Sequence, residues 1–452
     1  MKTIKEIKKE AKEFRKTTAR ADLGAWEVKT KRPEVMELLQ RQEETRIREL
    51  IPERRKRMAV SPFTFFRGSA ILQAHDLAST ARTNIRVQAC GDAHIANFGV
   101  FGSPERRLVF DINDFDETLP APFEVDIKRL LASVEILGRD RGFSKKNRKA
   151  AVYEAAELYR NTMLEYSELG NMEVWYRHID LENMLNKYSD RIEKHQIKSI
   201  REMLDKAQAK NSERAIQKLT EIVNGELRIK SDPPIIVPIR DMLKEEQVIF
   251  AFQHNIKKAL DTYKKTLPED RRILLDQYEP VEMAHKVVGV GSVGRRAWIL
   301  VMQGRVNGDP LVLQMKEAER SVLEEYYGLS KYKHSGQRVV EGQRAMQTAG
   351  DILLGWMKEK LPNDRDVDYY VRQLWDAKGS VDLTKLKEEG YKPLALMCAW
   401  TLAHAHAKTG NRHALAGYLG KSDEFENAMV KYAAAYADQT EADYKEFLRF
   451  AK

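Results

Sequence analysis

The run Gly91-Asp92-Ala93-His94-Ile95-Ala96-Asn97-Phe98-Gly99 carries side chains suited to chemistry, and Arg107-Leu108-Val109-Phe110-Asp111-Ile112-Asn113-Asp114-Phe115-Asp116 follows it closely. An aspartate, an asparagine five residues on and an acid ending an apolar run is the order in which phosphoryl-transfer sites present a base and two magnesium ligands. The first aspartate can orient or deprotonate an attacking hydroxyl. The asparagine and the later aspartate offer oxygen to a hard cation that bridges phosphates. Asp92, Asn97 and Asp114 fit these three roles. His94 reads as a hydrogen-bonding brace of the loop, and Asp111 and Asp116 as solvated acids, with ligation of a second metal as their alternative.

Such residues need rigid supports. Two short strands, 85–89 and 107–112, are expected to bracket the loop like a hairpin. Ser61-Pro62 signals a helix start, since the serine hydroxyl can cap free amides and proline in the first turn needs no donor. From Asp126 to about Val223 the chain reads as mostly helical, then as a punctuated segment from Gly225 to Pro238, then as helix from Glu245 to about Leu275. A second cluster, Lys286 to Gly294, has G-x-G-x-x-G spacing at Gly289, Gly291 and Gly294, which dinucleotide-binding folds share with phosphate loops of another kind. A dinucleotide site needs a helix next. Here Ala297 to Val301, a turn at Gly304 to Pro310, and Leu311 to Lys316 read as strand, turn, strand, which disfavours a dehydrogenase. Tyr369 to Leu374 is a further strand, and Pro393 to Lys408 a long apolar helix stopping at Gly410-Asn411.

GDAHIANFG followed by VFDINDFDE resembles the catalytic loop and acidic strand of the small-molecule branch of the protein-kinase-like superfamily, which includes aminoglycoside and choline kinases. Pro122 to Leu130 extends the likeness, with Asp126 matching an aspartate that braces the catalytic loop. From about Arg57 to the C-terminus the chain more closely resembles a bacterial family known only as domain of unknown function 2252, which brings no activity with it. The kinase-like resemblance implies that Gly289, Gly291, Ser292, Gly294 and Lys316 hold nucleotide phosphates. It also implies a helix glutamate holding Lys316, for which Glu341 is the choice and Glu324 the alternative. Leu402-Ala403-His404-Ala405-His406 resembles the helix that runs into the catalytic loop in kinases, yet here the loop comes some three hundred residues earlier. Joining the end to the start would restore the kinase order, so the expected fold is α+β, kinase-like, two-lobed and circularly permuted, with extra helical segments. The expected parts are a basic helical extension (1–60), a catalytic-loop part of a helical lobe (61–280), a β-rich nucleotide-binding part (281–375) and the helical remainder (376–452).

The 452 residues exceed one core, and 32% charged with 42% hydrophobic residues excludes a fibrous or wholly disordered chain. The net charge of +9 is concentrated in the first 60 positions and reads as a solvated helix face. Nucleic acid is not expected as a partner, because no aromatic residues interleave with those charges. Cys90 and Cys398 cannot build a disulfide framework. No apolar run approaches a membrane span, and a cytoplasmic protein is expected. His404 and His406 lie on different helix faces and read as structural. Arg67, Arg372 and Lys378 are each open to two readings, phosphate contact or ion pairing within the protein.

The expected function is ATP- and magnesium-dependent phosphotransfer to a hydroxyl of a small molecule or protein. The alternatives are adenylyl transfer on the same scaffold and a nucleotide-sensing module with little turnover.

Overall fold

Four short strands frame the acidic loop: β1 (Arg86–Ala89), β2 (Phe98–Gly102), β3 (Leu108–Ile112) and β4 (Leu119–Pro122). This computed structural model describes the chain apart from residues 1, 30, 180–217, 224–225, 243–255, 288–292, 307, 361–364, 375–378, 380 and 452. β2 pairs with β3 and β1 with β4, all antiparallel. The hairpin expected between 85–89 and 107–112 is therefore corrected. Phe98–Gly102 gives β3 a partner across a tight turn, and β1 takes the segment leading into the next helix.

The larger sheet is built from β7 (Ile236–Pro238), β8 (Tyr278–Lys286), β9 (Ala297–Gly304), β10 (Pro310–Ala318), β11 (Gly355–Lys360) and β12 (Asp366–Gln373), after a hairpin of β5 (Thr220–Val223) and β6 (Glu226–Ile229). Its order is β11-β12-β10-β9-β8-β7, antiparallel throughout. The chain enters β9 after Gly294, so the helix a dinucleotide site requires is absent there. Strand alternation divides the side chains between two faces. Leu300, Leu313, Met315, Tyr369 and Val371 pack on Tyr263, Leu267 and Leu275. Gln314, Lys316 and Tyr370 occupy the opposite face, in register across β10 and β12. The helix Ser335–Met346 lies between β10 and β11 in the chain.

Helices Glu124–Asp140, Lys145–Tyr166, Glu388–Thr409 and Glu424–Phe447 share a second core, with Leu130, Val134, Tyr159, Leu402, Phe425 and Tyr432 inside it. Ser61 caps the helix Pro62–Gly68 by accepting from the Thr64 amide, as its sequence signals. The N-terminal stretch is less solvated than its charge suggests. Lys5, Lys9 and Lys12 are exposed, but Arg20 and Arg54 are buried. Arg32 bridges Asp76 and Asp443 at 2.7 Å each. The helix Ile4–Thr17 sets Ala11 against Gly417, and the Tyr418 hydroxyl donates to the Thr18 carbonyl at 3.0 Å. Segments from the two ends of the sequence therefore pack together. Among the described residues no helix is long and apolar enough to cross a membrane.

His404 and His406 have the structural roles expected of them. His404 stacks on Trp400 and bonds the Val174 carbonyl at 2.9 Å. Burial depresses its pKa from 6.5 to about 4. A depressed histidine adds stability that is complete above its unfolded pKa and is lost as the pH falls through the folded one. His404→Gln, which cannot charge, should flatten the decline in urea-unfolding stability between about pH 6.5 and 4, by up to ~3 kcal/mol. An unchanged acid limb would contradict this.

Candidate active site

The loop after β1 is held from below by one buried carboxylate. Asp126, in the first turn of Glu124–Asp140, accepts from the amides of Cys90 at 2.6 Å and Gly91 at 2.9 Å. His406 Nε2 lies 3.2 Å from the same carboxylate, with its Nδ1 2.8 Å from the Tyr159 hydroxyl. Gly91 has φ +84°, and a Cβ there would overlap the Glu117 carbonyl, so glycine is required on both counts. Asn97 Nδ2 donates to the Asp92 carbonyl at 2.9 Å and the Asp114 carbonyl at 3.2 Å, tying the loop to the segment after β3. With its donor end engaged, the carboxamide has its oxygen left for a ligand.

Asp92 is oriented by Arg129, whose Nε donates to Oδ1 at 2.8 Å. Arg129 also donates to Gln73 and to the Phe66 carbonyl, and its guanidinium lies 3.7 Å over the Phe66 ring. Burial pushes the Asp92 carboxyl above its ordinary range, and Arg129 works against that. His94 Nε2 is 3.7 Å from Asp92 Oδ2, and His94 is held neutral, chiefly by burial.

The sheet meets this loop through Lys316. Its Nζ lies 3.2 Å from Asp116 and 3.7 Å from Asp114 Oδ2. Asp116 also accepts from the Tyr370 hydroxyl at 2.7 Å and from Arg295 at 3.1 Å. Burial alone would raise Asp116, but Lys316 and Arg295 outweigh it and hold the carboxyl well below its usual range. Asp114 is raised, by burial and then by the charge of Asp116. Arg338 donates to the Asp116 and Thr118 carbonyls, which fixes the backbone of the same segment.

Asp92, Asn97, Asp114 and Asp116 line one cavity of about 40 Å³ together with Gln42, Arg67, Glu117 and Arg295. A larger open groove of about 830 Å³ shares Gln42 and Arg295 with it, but is lined mainly by charged side chains of 317–325 and 358–368. None of the loop's candidate residues reaches that groove.

The structure thus brings Asp92, Asn97, Asp114 and Lys316 together. Gly294 closes the turn into β9 at φ +90°, and its carbonyl accepts from the Ile47 amide. Gly289, Gly291, Ser292 and Lys378 lie outside the described residues. The helix-glutamate partner of Lys316 is corrected. Glu341 is half-exposed and pairs with Arg344 at 3.1 Å, because the buried side of its helix is taken by Arg338, Val339, Val340, Gly342 and Gln343. Glu324 faces Arg338 and Arg320. Asp116 is the carboxylate that holds the lysine. The solvated reading of Asp111 and Asp116 is corrected too: Asp111 is buried, accepts from the Thr348 and Ile112 amides, and is raised to about 6 by burial. Arg372 bonds Gln314 at 3.1 Å.

Arg129, Tyr370 and Arg295 were not singled out from the sequence. Arg129 sits three residues after Asp126 on one helix, so both side chains emerge on neighbouring faces near the loop, a spacing that could have revealed it. Tyr370 and Arg295 carry no such local signal, since only strand register and the sheet's approach bring them to Asp116.

Asp116→Asn removes the shared counter-charge of two buried cations. Removing one member of a buried ion pair strands the others, at roughly 3 kcal/mol. Urea unfolding at neutral pH should show a loss of that order, and a variant within 0.5 kcal/mol of wild type, roughly the range of an uninvolved surface site, would contradict the assignment.

No curated protein and no solved structure matches the chain. The family described as "Uncharacterized protein conserved in bacteria", domain of unknown function 2252, matches residues 46–450, and the chain belongs to it.

Proposed function

We propose that the chain is an ATP- and magnesium-dependent phosphotransferase, kinase-like and circularly permuted, acting on a hydroxyl of a small molecule or protein. The observation that carries this reading is the approach of Lys316 to Asp114 and Asp116, 200 positions away from the latter, two acids that line the same cavity as Asp92 and Asn97. A nucleotide-sensing binding module has no need of a base beside two oxygen ligands and a phosphate-directed lysine. Strand order lends further support. The glycine-containing segment between β8 and β9, the lysine on β10, the helix Ser335–Met346 and the strands β11 and β12 come in the chain order in which kinase-like enzymes arrange glycine loop, lysine and helix. The packing of Ile4–Thr17 on Arg412–Leu419, which brings an early and a late segment of the sequence together, is compatible with that order.

The donor set fits magnesium. Among the described residues no group of three His, Cys, Asp or Glu side chains could hold a metal alone. Magnesium commonly keeps its waters and takes one or two protein oxygens plus substrate phosphates. Asn97 Oδ1 and Asp114 would be those oxygens, and the raised Asp114 carboxyl is one whose charge a cation would stabilise. When bound, the ion would neutralise charge on the phosphates.

The protein's own groups perform the rest. Lys316, steadied by Asp116, is directed at the phosphates, and Arg129 fixes Asp92 with Oδ2 free for the acceptor hydroxyl. The acceptor oxygen forms a bond to the γ-phosphorus as the bond to the bridging oxygen breaks. ADP departs with that electron pair, and the hydroxyl proton passes to Asp92. The buried apolar residues Ile95, Phe98 and Phe115 back the loop and hold it in place.

Loss of a general base costs roughly 100- to 10,000-fold in rate. Purified protein with ATP, magnesium and cell extract should yield ADP and a phosphorylated acceptor, and Asp92→Asn should reduce the rate by that factor. Because the base acts deprotonated, wild-type kcat/KM should rise with pH through a value above the ordinary carboxylate range. Equal ATP turnover by Asp92→Asn would refute the proposal, and release of pyrophosphate with AMP joined to the acceptor would redirect it to adenylyl transfer.

A further inference from the structure

Two guanidiniums flank Asp92, and only one of them is engaged. Arg129 uses all three of its nitrogens on Asp92, Gln73 and the Phe66 carbonyl. Arg67, one residue beyond Phe66 in the helix Pro62–Gly68, lines the same cavity as Asp92. Its buried Nε has no hydrogen-bond partner, and among the described residues no carboxylate lies within ion-pair distance of it. Asp92 is its nearest electrostatic compensation, against the effect of burial.

The other cation lining the cavity is Arg295, and it is committed to Asp116, Glu117 and Glu319. Arg67 is therefore the cavity's uncommitted positive group. Arg67 is half-buried, and an unpaired charge partly withdrawn from water is unfavourable unless a ligand supplies the counter-charge. The helix end that carries Arg67 is fixed from both sides. Arg54 takes the Gly68 carbonyl at 2.7 Å, and Arg129 takes that of Phe66 at 2.6 Å. The guanidinium is thus presented on a rigid support beside the base. The cavity, at about 40 Å³, has room for a few waters and so for one phosphoryl-sized group, not for a nucleoside.

We infer that Arg67 binds the phosphoryl group in transfer, meeting it from the side of Asp92 while Lys316 approaches from the sheet. Guanidinium matches phosphate oxygens in geometry and charge. The inference rests on the phosphotransferase reading and adds to it the residue that distinguishes a terminal phosphoryl group from its absence.

The test is calorimetric binding of a non-hydrolysable ATP analogue with a β,γ-imido bridge, and of ADP, each with magnesium, to wild type, Arg67→Gln and Arg67→Lys. Arg67→Gln should weaken the analogue about tenfold or more, the scale of one charge-assisted hydrogen bond, and leave ADP within about twofold. Arg67→Lys should fall between. The ligand-free Arg67→Gln protein should melt no lower than wild type, since it relieves an uncompensated charge. Equal weakening of both nucleotides, no weakening of either, or a lower Tm without ligand would each overturn the role of Arg67. Failure of wild type to bind either nucleotide would instead overturn the phosphotransferase reading, and this role with it.

Discussion

The buried contact between Lys316 and Asp116 is the constraint on which the arrangement depends. A lysine and a carboxylate taken out of water lose several kcal/mol of hydration each, and their attraction offsets this only with further hydrogen bonds. Here Tyr370 and Arg295 supply them, and Arg338 fixes the backbone on which Asp116 stands. The partners come from the approach to β9, from β10, from β12 and from the helix Ser335–Met346, so four separate segments converge on one acidic residue. Replacing the cluster with apolar groups would cost the fold little on general grounds. Its retention makes sense as positioning: it sets the lysine beside Asp114 before any ligand arrives.

A second set of bonds fixes the loop independently of the sheet. Asp126 receives the Cys90 and Gly91 amides, Asn97 ties the loop to the segment after β3, and Arg129 aims Asp92. In Asp92 and Asn97 one polar end is engaged by the protein, Oδ1 accepting from Arg129 and Nδ2 donating to two carbonyls. The opposite ends, Asp92 Oδ2 and the Asn97 oxygen, are the ones the proposed chemistry would use. Preorganisation of this kind lets charge stabilisation act without reorganising the site during reaction.

The grouping of the loop's polar residues was legible because it is local: Asp92, Asn97 and Asp114 lie within 23 positions in fixed spacing and line one cavity, and Asp126 and His406 took the structural parts their contexts implied. The strand after Gly294 was legible for the same reason, from a β-rich run with no helix signal. What was not legible depends on register and tertiary approach. Glu341 has the right residue type on the right helix, but Arg338, Val339, Val340 and Gly342 take the inward face and turn it outward. Asp116 reads as one more acid at a strand end, since its partners sit 179 to 254 positions away. The basic N-terminal stretch reads as solvated, yet Arg32 and Arg54 are inside ion-pair networks, because their acidic partners are supplied by distant or folded-back segments.

The central claim is that the sheet lysine and the acidic loop serve one metal-bound triphosphate. A crystal structure of the protein grown with magnesium and a non-hydrolysable ATP analogue tests it most directly. The account predicts the ion ~2.1 Å from Asp114 and Asn97 oxygens, with the analogue's terminal phosphates within ~3 Å of Lys316 Nζ. Phosphates bound on another face, or an empty cavity at saturating analogue, would contradict it.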